Sequence, residues 1–364
     1  MSQKSSSLTQ LALQKFKKNL WGVLSFWLIV LVGLIAVFAY VLSPDNSENA
    51  NQMHLSIHSK QPGFTVEMLV IPNTLTSNQS FLNRIFFGKT HPPSEIPITS
   101  YELEPYQIKY TEFASEGLDG LEKTITIPTD IQTSLRPFVT SKTFYFGTDK
   151  YGRDLLSRIL VGARISFSIG FVAVFISLIL GILMGSIAGY FGGKWDKLIM
   201  WIINVTWSIP TLLLVIAITL ALGKGFWQVF IAVGLTMWVE VARIVRGQVM
   251  SVKEMQYVTA ARALGFTDFR IILKHILPNI LAPVIVISAA NFASAILMES
   301  GLSFLGIGAQ PPMPSWGGMV KDHFRYLLLG KPYLALLPGL AIMSLVLAFM
   351  MLGNSLRDIL DVRR

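Results

Sequence analysis

Trp21-Gly-Val-Leu-Ser-Phe-Trp-Leu-Ile-Val-Leu-Val-Gly-Leu-Ile-Ala-Val-Phe-Ala-Tyr-Val-Leu42 contains no charged residue. As a helix it would be about 33 Å long, enough to cross roughly 30 Å of hydrocarbon. Lys15, Lys17 and Lys18 stand just before it, which predicts that its N-terminal end stays in the cytoplasm. The run is too long for the apolar core of a signal peptide, and no small-x-small site closes it. The expectation is an uncleaved anchor over 21–42, after a cytoplasmic segment 1–20.

Similar apolar blocks follow at about Ile165–Phe191, Leu198–Leu222, Phe226–Val245, Ile280–Met298 and Leu334–Leu352, only the fourth span carrying charges, Glu240 and Arg243 near its end. Charged residues make up 14% of the 364, against roughly 25% in an ordinary soluble domain. Six crossings place both termini on one side. The segments then assigned to the cytoplasm carry Lys4, Lys15, Lys17, Lys18, Lys194, Lys197, Arg246, Lys253, Arg262, Arg270, Lys274, Arg357, Arg363 and Arg364. The short outer loops carry only Lys224, Lys321, Arg325 and Lys331. That imbalance favours cytoplasmic termini. It also accounts for the net charge of +9 without nucleic acid. The chain has no Cys, which excludes disulfides, thiolate metal sites and a Cys nucleophile.

Residues 43–146 are polar. Phe64-Thr-Val-Glu-Met-Leu-Val70 and Gln107-Ile-Lys-Tyr-Thr-Glu-Phe113 alternate as half-buried strands do. Pro72, Pro92, Pro93, Pro97, Pro105 and Pro128 punctuate the segment. A small β-rich extracytoplasmic domain is expected between helices one and two, acting as a cap or contact surface. The remaining domain, 147–364, would hold helices two to six and a cytoplasmic loop, 246–279.

That loop is the most informative segment. Ser251 and Glu254 have capping-box spacing, so a helix is expected to start there. Gly265 stands where a helix should stop, and Thr267 is placed to cap a second helix. Asp268 and Lys274 would suit the two ends of that helix's dipole. Phe269, Ile272, Leu273 and Ile276 follow i, i+3, i+4, i+7 and predict one apolar face. Pro278 is expected to end the regular ladder. Ala260, Ala261 and Ala263 leave room for close approach of another backbone. On the residues alone, this object reads equally as an interfacial helical hairpin or as a rigid elbow that passes a partner's movement into helices four and five.

Thr259-Ala260-Ala261, then Gly265, then Leu277-Pro278 resembles the EAA loop of bacterial ABC importer permeases. Thr259 stands where that pattern has Glu, and His275 where it has Ile. Ala261-Arg262-Ala263-Leu264-Gly265 and His275-Ile276-Leu277-Pro278-Asn279 are similar to the oligopeptide/dipeptide/nickel branch in particular. So are Phe146-Gly-Thr-Asp-Lys-Tyr-Gly-Arg-Asp154 and Glu299-Ser-Gly-Leu-Ser-Phe-Leu-Gly-Ile-Gly308. The resemblance covers about 144–364 and the first anchor; 43–143 falls outside the pattern. It implies an all-α polytopic protein with the type I ABC importer permease fold, seated in the bacterial plasma membrane. It implies that Thr259, Ala260, Ala261, Arg262, Gly265, His275, Leu277 and Pro278 dock an ATPase. The implied partners are a second homologous permease, two ABC ATPases that use ATP and Mg, an extracytoplasmic solute-binding protein and membrane lipid. Peptide is the implied cargo class; nickel chelates, glycosides and peptide antibiotics stay open.

No catalytic constellation is expected. Gly88-Lys89-Thr90 lacks the leading Gly of a P-loop, Asn83 standing in its place. His54, His58, His91, His275 and His323 show no metal-ligand spacing. Glu240 and Arg243, three apart near one end of helix four, are placed to pair. Pro210 predicts a kink in helix three, and Glu299 is expected to end helix five facing water or the pathway. These four are candidates for gating. An ion-gradient-driven secondary transporter is the alternative. It would favour charges at mid-membrane and inverted repeats, and the middles of these blocks carry no charge.

Overall fold

The computed structural model describes residues 8–71, 79–104, 107–114, 119–126, 138–223 and 225–360. Lys4, Pro72, Pro105, Pro128, Lys224, Arg363 and Arg364 lie outside them. Two compact units emerge, described separately: Met1–Gly33 with Ser166–Gln310 and Ala341–Arg364, and Leu34–Ile165 with Pro311–Leu340. Among the described residues, five helices are long and apolar enough to cross a membrane, and six spans result if one bent pair counts as a span.

Helix α1 covers Leu8–Lys18 and α2 covers Leu20–Val37, with a further turn, α3, at Ala39–Leu42. Leu20, Leu24, Trp27, Leu31 and Leu34 of α2 are exposed, forming a stripe at i, i+4, i+7, i+11, i+14. Its small residues face inward: a Cβ on Gly22 would meet Ser355, and one on Gly33 would meet Phe167. Large side chains outside and small ones inside is the arrangement that lipid contact and close helix packing produce together.

The polar segment is a single antiparallel sheet. Its strands are β1 (Phe64–Ile71), β2 (Ser94–Glu104), β3 (Gln107–Glu112), β4 (Glu122–Thr126) and β5 (Val139–Phe144), with helix α4 (Phe81–Phe87) between the first two. The order is β4-β3-β2-β1-β5. Glu67 faces Ile98, Phe64 faces Phe144, and Tyr110 faces both Tyr101 and Lys123. The predicted strands at 64–70 and 107–113 are β1 and β3. Leu69, Ile98, Ile108, Tyr110 and Phe138 form one buried cluster, and Ile57, Val66, Met68 and Phe144 another, so both faces of β1 are covered. Pro97 lies in the central strand β2, next to a register shift at Ile98/Ser100; such an irregularity is how a strand accommodates a residue without an N–H.

The segment Phe146–Asp154 folds into a buried polar staple below that sheet. Asp149 accepts hydrogen bonds from the backbone N–H of Tyr151 (2.8 Å) and Arg153 (3.0 Å) and pairs with the Arg153 guanidinium at 2.6 Å. Arg158 lies 3.7 Å away. Gly152 is required by close approach, because a Cβ there would stand 1.8 Å from the His54 carbonyl oxygen. Asp154 accepts the Ser157 N–H at 2.8 Å, an N-cap bond that starts α5 (Leu155–Phe191).

Helices α6 (Gly193–Trp207) and α7 (Thr211–Leu222) replace the expected third crossing. They meet at 93°, so Pro210 breaks the span where a kink was predicted. Proline disfavours helix in the residue before it and offers no N–H. The α6 ladder ends at Ser208, whose Oγ bonds back to the Asn204 carbonyl at 2.9 Å. Helix α8 (Phe226–Val252) follows, then α9 (Gln256–Ala263). The capping-box expectation at Ser251 is corrected: Ser251 lies in the last turn of α8, and α9 begins five residues later, after Met255. Packing of Val245 and Val249, both fully buried, carries α8 through the predicted loop, and tertiary burial outweighs a local cap.

From Asp268 to Phe304 the chain stays helical. It runs through α10 (Asp268–Ile271), a π turn at Ile272–Ile276, a 3-10 turn at Leu277–Ile280 and α11 (Leu281–Phe304). Pro278 therefore loosens the ladder without ending it. Helices α12 (Trp316–His323) and α13 (Tyr333–Leu360) complete the chain.

Candidate functional site

The elbow between α8 and α11 is built by three local devices. Met255 and its neighbours turn the chain out of α8: the Met255 N–H donates to the Val252 carbonyl at 3.1 Å. Helix α9 then stops at Gly265, whose φ is +79°. The Phe266 N–H reaches the Ala261 carbonyl (3.2 Å) and the Gly265 N–H the Arg262 carbonyl (3.0 Å), the paired bonds of a Schellman stop. Thr267 adopts extended backbone before α10, but its side chain makes no cap bond.

The underside of the elbow is apolar. Val258, Ala261, Ile271, Ile276 and Ile280 join Val241, Val245 and Val249 of α8 and Tyr190 of α5 in one buried cluster. The predicted face Phe269, Ile272, Leu273, Ile276 is corrected: Phe269 is 73% exposed and Leu273 is exposed too, while Ile271 is fully buried. A π turn adds a residue per turn, so the buried positions run 271, 276, 280 and the simple helical period fails.

Beneath the elbow, α5 and α8 come into very close contact. Cβ atoms on Gly181, Gly185 and Gly189 would stand 2.4, 2.5 and 2.8 Å from Val241, the Ala242 carbonyl and the Arg246 carbonyl. Small residues four apart permit this approach. Tyr190, next in the chain, reaches both arms of the elbow. Its hydroxyl donates to Asp268 at 2.6 Å, and the Arg262 guanidinium lies 5.7 Å over its ring. Arg246 makes a two-pronged pair with Asp196 on α6, one arm at 2.7 Å. Arg270 lies 4.3 Å over the Phe266 ring, and His275 stacks on the same ring at 5.8 Å.

The upper surface has a different composition. Tyr257, Leu264, Phe269 and Leu273 are exposed among Arg262, Arg270 and Lys274, and Leu264 reaches 74%. Thr259, Ala260, Arg262, Gly265 and Pro278 share this exposed side; Ala261 is buried, and His275 and Leu277 are half-buried. Large apolar residues ringed by cations on a helical ledge fit a protein partner better than water.

The four gating candidates do not gather at the elbow. Pro210 caps α7. Glu240 and Arg243 form no ion pair among the described residues; the Arg243 guanidinium lies 3.8 Å over Trp207 and 3.4 Å from the Asn204 amide oxygen. A flat aromatic face at that distance provides what a pairing carboxylate would have provided. Glu299 does not end α11, which runs on to Phe304; it is fully buried and accepts the Ser303 hydroxyl at 2.6 Å. Gly88-Lys89-Thr90 follows a helix and leads to a strand, the reverse of the strand–loop–helix order of a P-loop.

Tyr190, Asp196 and the glycine row were not among the predicted site residues. Gly181-x-x-x-Gly185-x-x-x-Gly189 was the available signal. The Asp196–Arg246 pair had none, since its members are fifty positions apart.

Residues 181–364 match the family model of the binding-protein-dependent transport system inner membrane component. Residues 7–62 match that of the N-terminal TM domain of oligopeptide transport permease C, so the family pattern continues twenty residues past the first anchor. The chain is 45% identical over 217 residues to the dipeptide transport system permease protein DppC of Alkalihalophilus pseudofirmus, covering 60% of this chain and 71% of that protein. It is 43% identical, with the same coverage, to the glutathione transport system permease protein GsiD of Shigella sonnei. A chain of an inward-facing methionine ABC transporter aligns over 56% of this chain and 96% of its own, with 19% identity and a TM-score of 0.45.

Proposed function

The chain belongs to the family of inner membrane components of binding-protein-dependent transport systems, and from that premise we propose how it works and what it carries. It is a multi-pass permease subunit of an ABC importer, one component of a larger transport system. Our reading is that it lines half of a pathway for short peptides, with a second homologous permease lining the other half. Two peptide carriers, of dipeptide and of glutathione, among its relatives support that cargo class.

The observation that carries the coupling role is the two-sidedness of the elbow. Its underside is locked to α8 and Tyr190, and its upper side leaves Leu264 and Phe269 bare. An ATPase subunit, using ATP and Mg, would seat on Thr259, Ala260, Arg262, Leu264, Gly265 and Phe269. Its movement would pass through the Tyr190–Asp268 bond and the Val241, Val245, Val249 seam into α5, α8 and α11. Ala261, His275 and Leu277 would hold the elbow's shape from below, and Pro278 would join the docking side.

The Lys/Arg imbalance supports a topology with both termini and the elbow in the cytoplasm, the sheet outside, and the bacterial plasma membrane as the site. A solute-binding protein would deliver cargo from the sheet's side.

The test is affinity purification of the full chain from its native membrane in mild detergent, with mass spectrometry of its companions. Recovery of an ATPase and a second permease is expected. Leu264→Asp with Phe269→Asp should lose the ATPase and keep the permease. Undiminished ATPase recovery by that variant would overturn the docking surface.

A further inference from the structure

Helix α4, Phe81-Leu-Asn-Arg-Ile-Phe-Phe87, is out of place on a water-facing sheet domain. Phe81 and Phe87 are 74% and 65% exposed, and Leu82 and Phe86 are exposed as well. Arg84 is its single charge. The helix is pinned beside the end of the first crossing. Gly88 follows it with φ +76°, and a Cβ there would stand 2.9 Å from both the Asn46 carbonyl and the Tyr40 ring. Arg164 holds the helix's C-terminal end by donating to the Phe86 carbonyl, with its guanidinium 5.7 Å over Tyr40 and 5.4 Å over Phe86. Val41 and Leu42, next to α4, are exposed. The bare face of α4 thus lies beside the exposed apolar side chains of α3.

Between α3 and α4 lies a pocket of about 260 Å³, lined by Tyr40, Val41, Asn46, Phe81, Arg84, Ile85 and Lys89. That volume is below the usual range for a drug-sized ligand; it fits a headgroup and glycerol and leaves the acyl chains outside. Two of its lining side chains are cations, and among the described residues neither Arg84 nor Lys89 forms an ion pair with a carboxylate. Two cations in one pocket with aromatic and aliphatic side chains, at the end of a span, suit a phosphodiester whose chains lie along Val41, Leu42 and Phe87.

We propose that α4 is an interfacial helix lying in the outer leaflet, and that the pocket formed by Tyr40, Arg84 and Lys89 binds an anionic phospholipid. The face suits lipid, because the exposed apolar residues of α4 lie beside Val41 and Leu42 at the end of the apolar run 21–42. The leaflet assignment rests on the topology proposed above; the lipid chemistry does not.

The experiment uses the full chain in nanodiscs of mixed phosphatidylcholine and phosphatidylglycerol, with native mass spectrometry of retained lipid. Phosphatidylglycerol should be retained selectively. Arg84→Gln with Lys89→Gln should weaken that preference by about fivefold per charge removed, whereas Lys109→Gln, on the sheet, should leave it unchanged. Millimolar inorganic phosphate should not displace the lipid. Equal retention of the two lipids, or displacement by phosphate, would overturn the site. A nitroxide on Leu82→Cys, in a chain with no other thiol, should be accessible to oxygen and shielded from an aqueous quencher. The opposite profile, or its restoration only when a second protein is present, would overturn the lipid reading. Separately, Ser94→Cys should react with an impermeant maleimide on intact cells. Failure there, with lipid selectivity kept, would overturn the outer-leaflet assignment alone.

Discussion

The Tyr190 hydroxyl donates a 2.6 Å hydrogen bond to the Asp268 carboxylate, tying the end of α5 to the second arm of the elbow. A bond to a charged acceptor contributes more than a neutral one, about 1.5–3 kcal/mol when buried and less here because Asp268 is exposed. Tyr190→Phe removes the bond and leaves the ring under Arg262. The expected result is normal membrane insertion and ATPase recovery, with fewer cargo molecules moved per ATP in proteoliposomes. An unchanged ratio would show that this bond carries no coupling.

Gly265 offers a way to separate backbone conformation from crowding. Its φ is +79°, yet nothing lies within 4 Å of where a Cβ would stand. Within the subunit alone, any loss of stability on substitution must then come from the left-handed backbone, at about 1–3 kcal/mol for a residue forced there. Asn tolerates that region, Ala less and β-branched Val least. Tm of the detergent-purified subunit, without its ATPase, should fall in the order Gly265→Asn, Gly265→Ala, Gly265→Val.

The α5–α8 seam predicts the opposite behaviour, in which space decides. Gly185→Leu must displace the Ala242 carbonyl and Val245, and overpacking of this kind costs about 1–3 kcal/mol or more. A clear drop in Tm of the detergent-purified subunit is expected. Gly247→Ala, on α8 with open space around it, should leave Tm within error.

Acid should loosen the unit that contains the sheet. Burial lowers the pKa of His54, and nearby Lys142 lowers it further against the opposing effect of Glu95 and Asp45. Burial likewise lowers that of His323. Below the ordinary imidazole value of about 6.5 the unfolded chain takes up protons that the folded one refuses, so stability falls with pH by at most about 1.4 kcal/mol per unit for each histidine. Asp154, raised by burial, acts with the opposite sign, so the comparison of variants carries the prediction. His54→Gln should show a shallower loss of thermal stability between pH 7 and pH 5.5 than the parent chain.

Five of the crossings were legible because a long apolar run with few or no charges has few other uses, while the break at Pro210 hid the form of the third. Gly265 was legible because a helix stop needs a residue at positive φ. Strands β1 and β3 could be read from alternation, but β2 was masked by Pro97, and Val139-Thr-Ser-Lys-Thr-Phe144 of β5 has too few apolar residues to alternate. The buried face of the elbow could not be read, because the π turn at 272–276 shifts the register that a helical period assumes. Tyr190 was missed since its partner is seventy-eight positions away. Arg243 was misassigned to Glu240 because sequence spacing reports what lies along one helix and never what a neighbouring helix, here with Trp207, presents to it.

The right-angle break at Pro210 has a consequence for how this chain is made. Helices α6 and α7 have 15 and 12 residues, about 22 and 18 Å at 1.5 Å per residue. Each alone is shorter than the roughly 30 Å of hydrocarbon. Their tie to α8, the Asp196–Arg246 pair, can close only after α8 has been synthesised. Biogenesis is therefore out of step with translation at this point. A ribosome stalled between residues 222 and 246 would leave both short helices without their Arg246 partner.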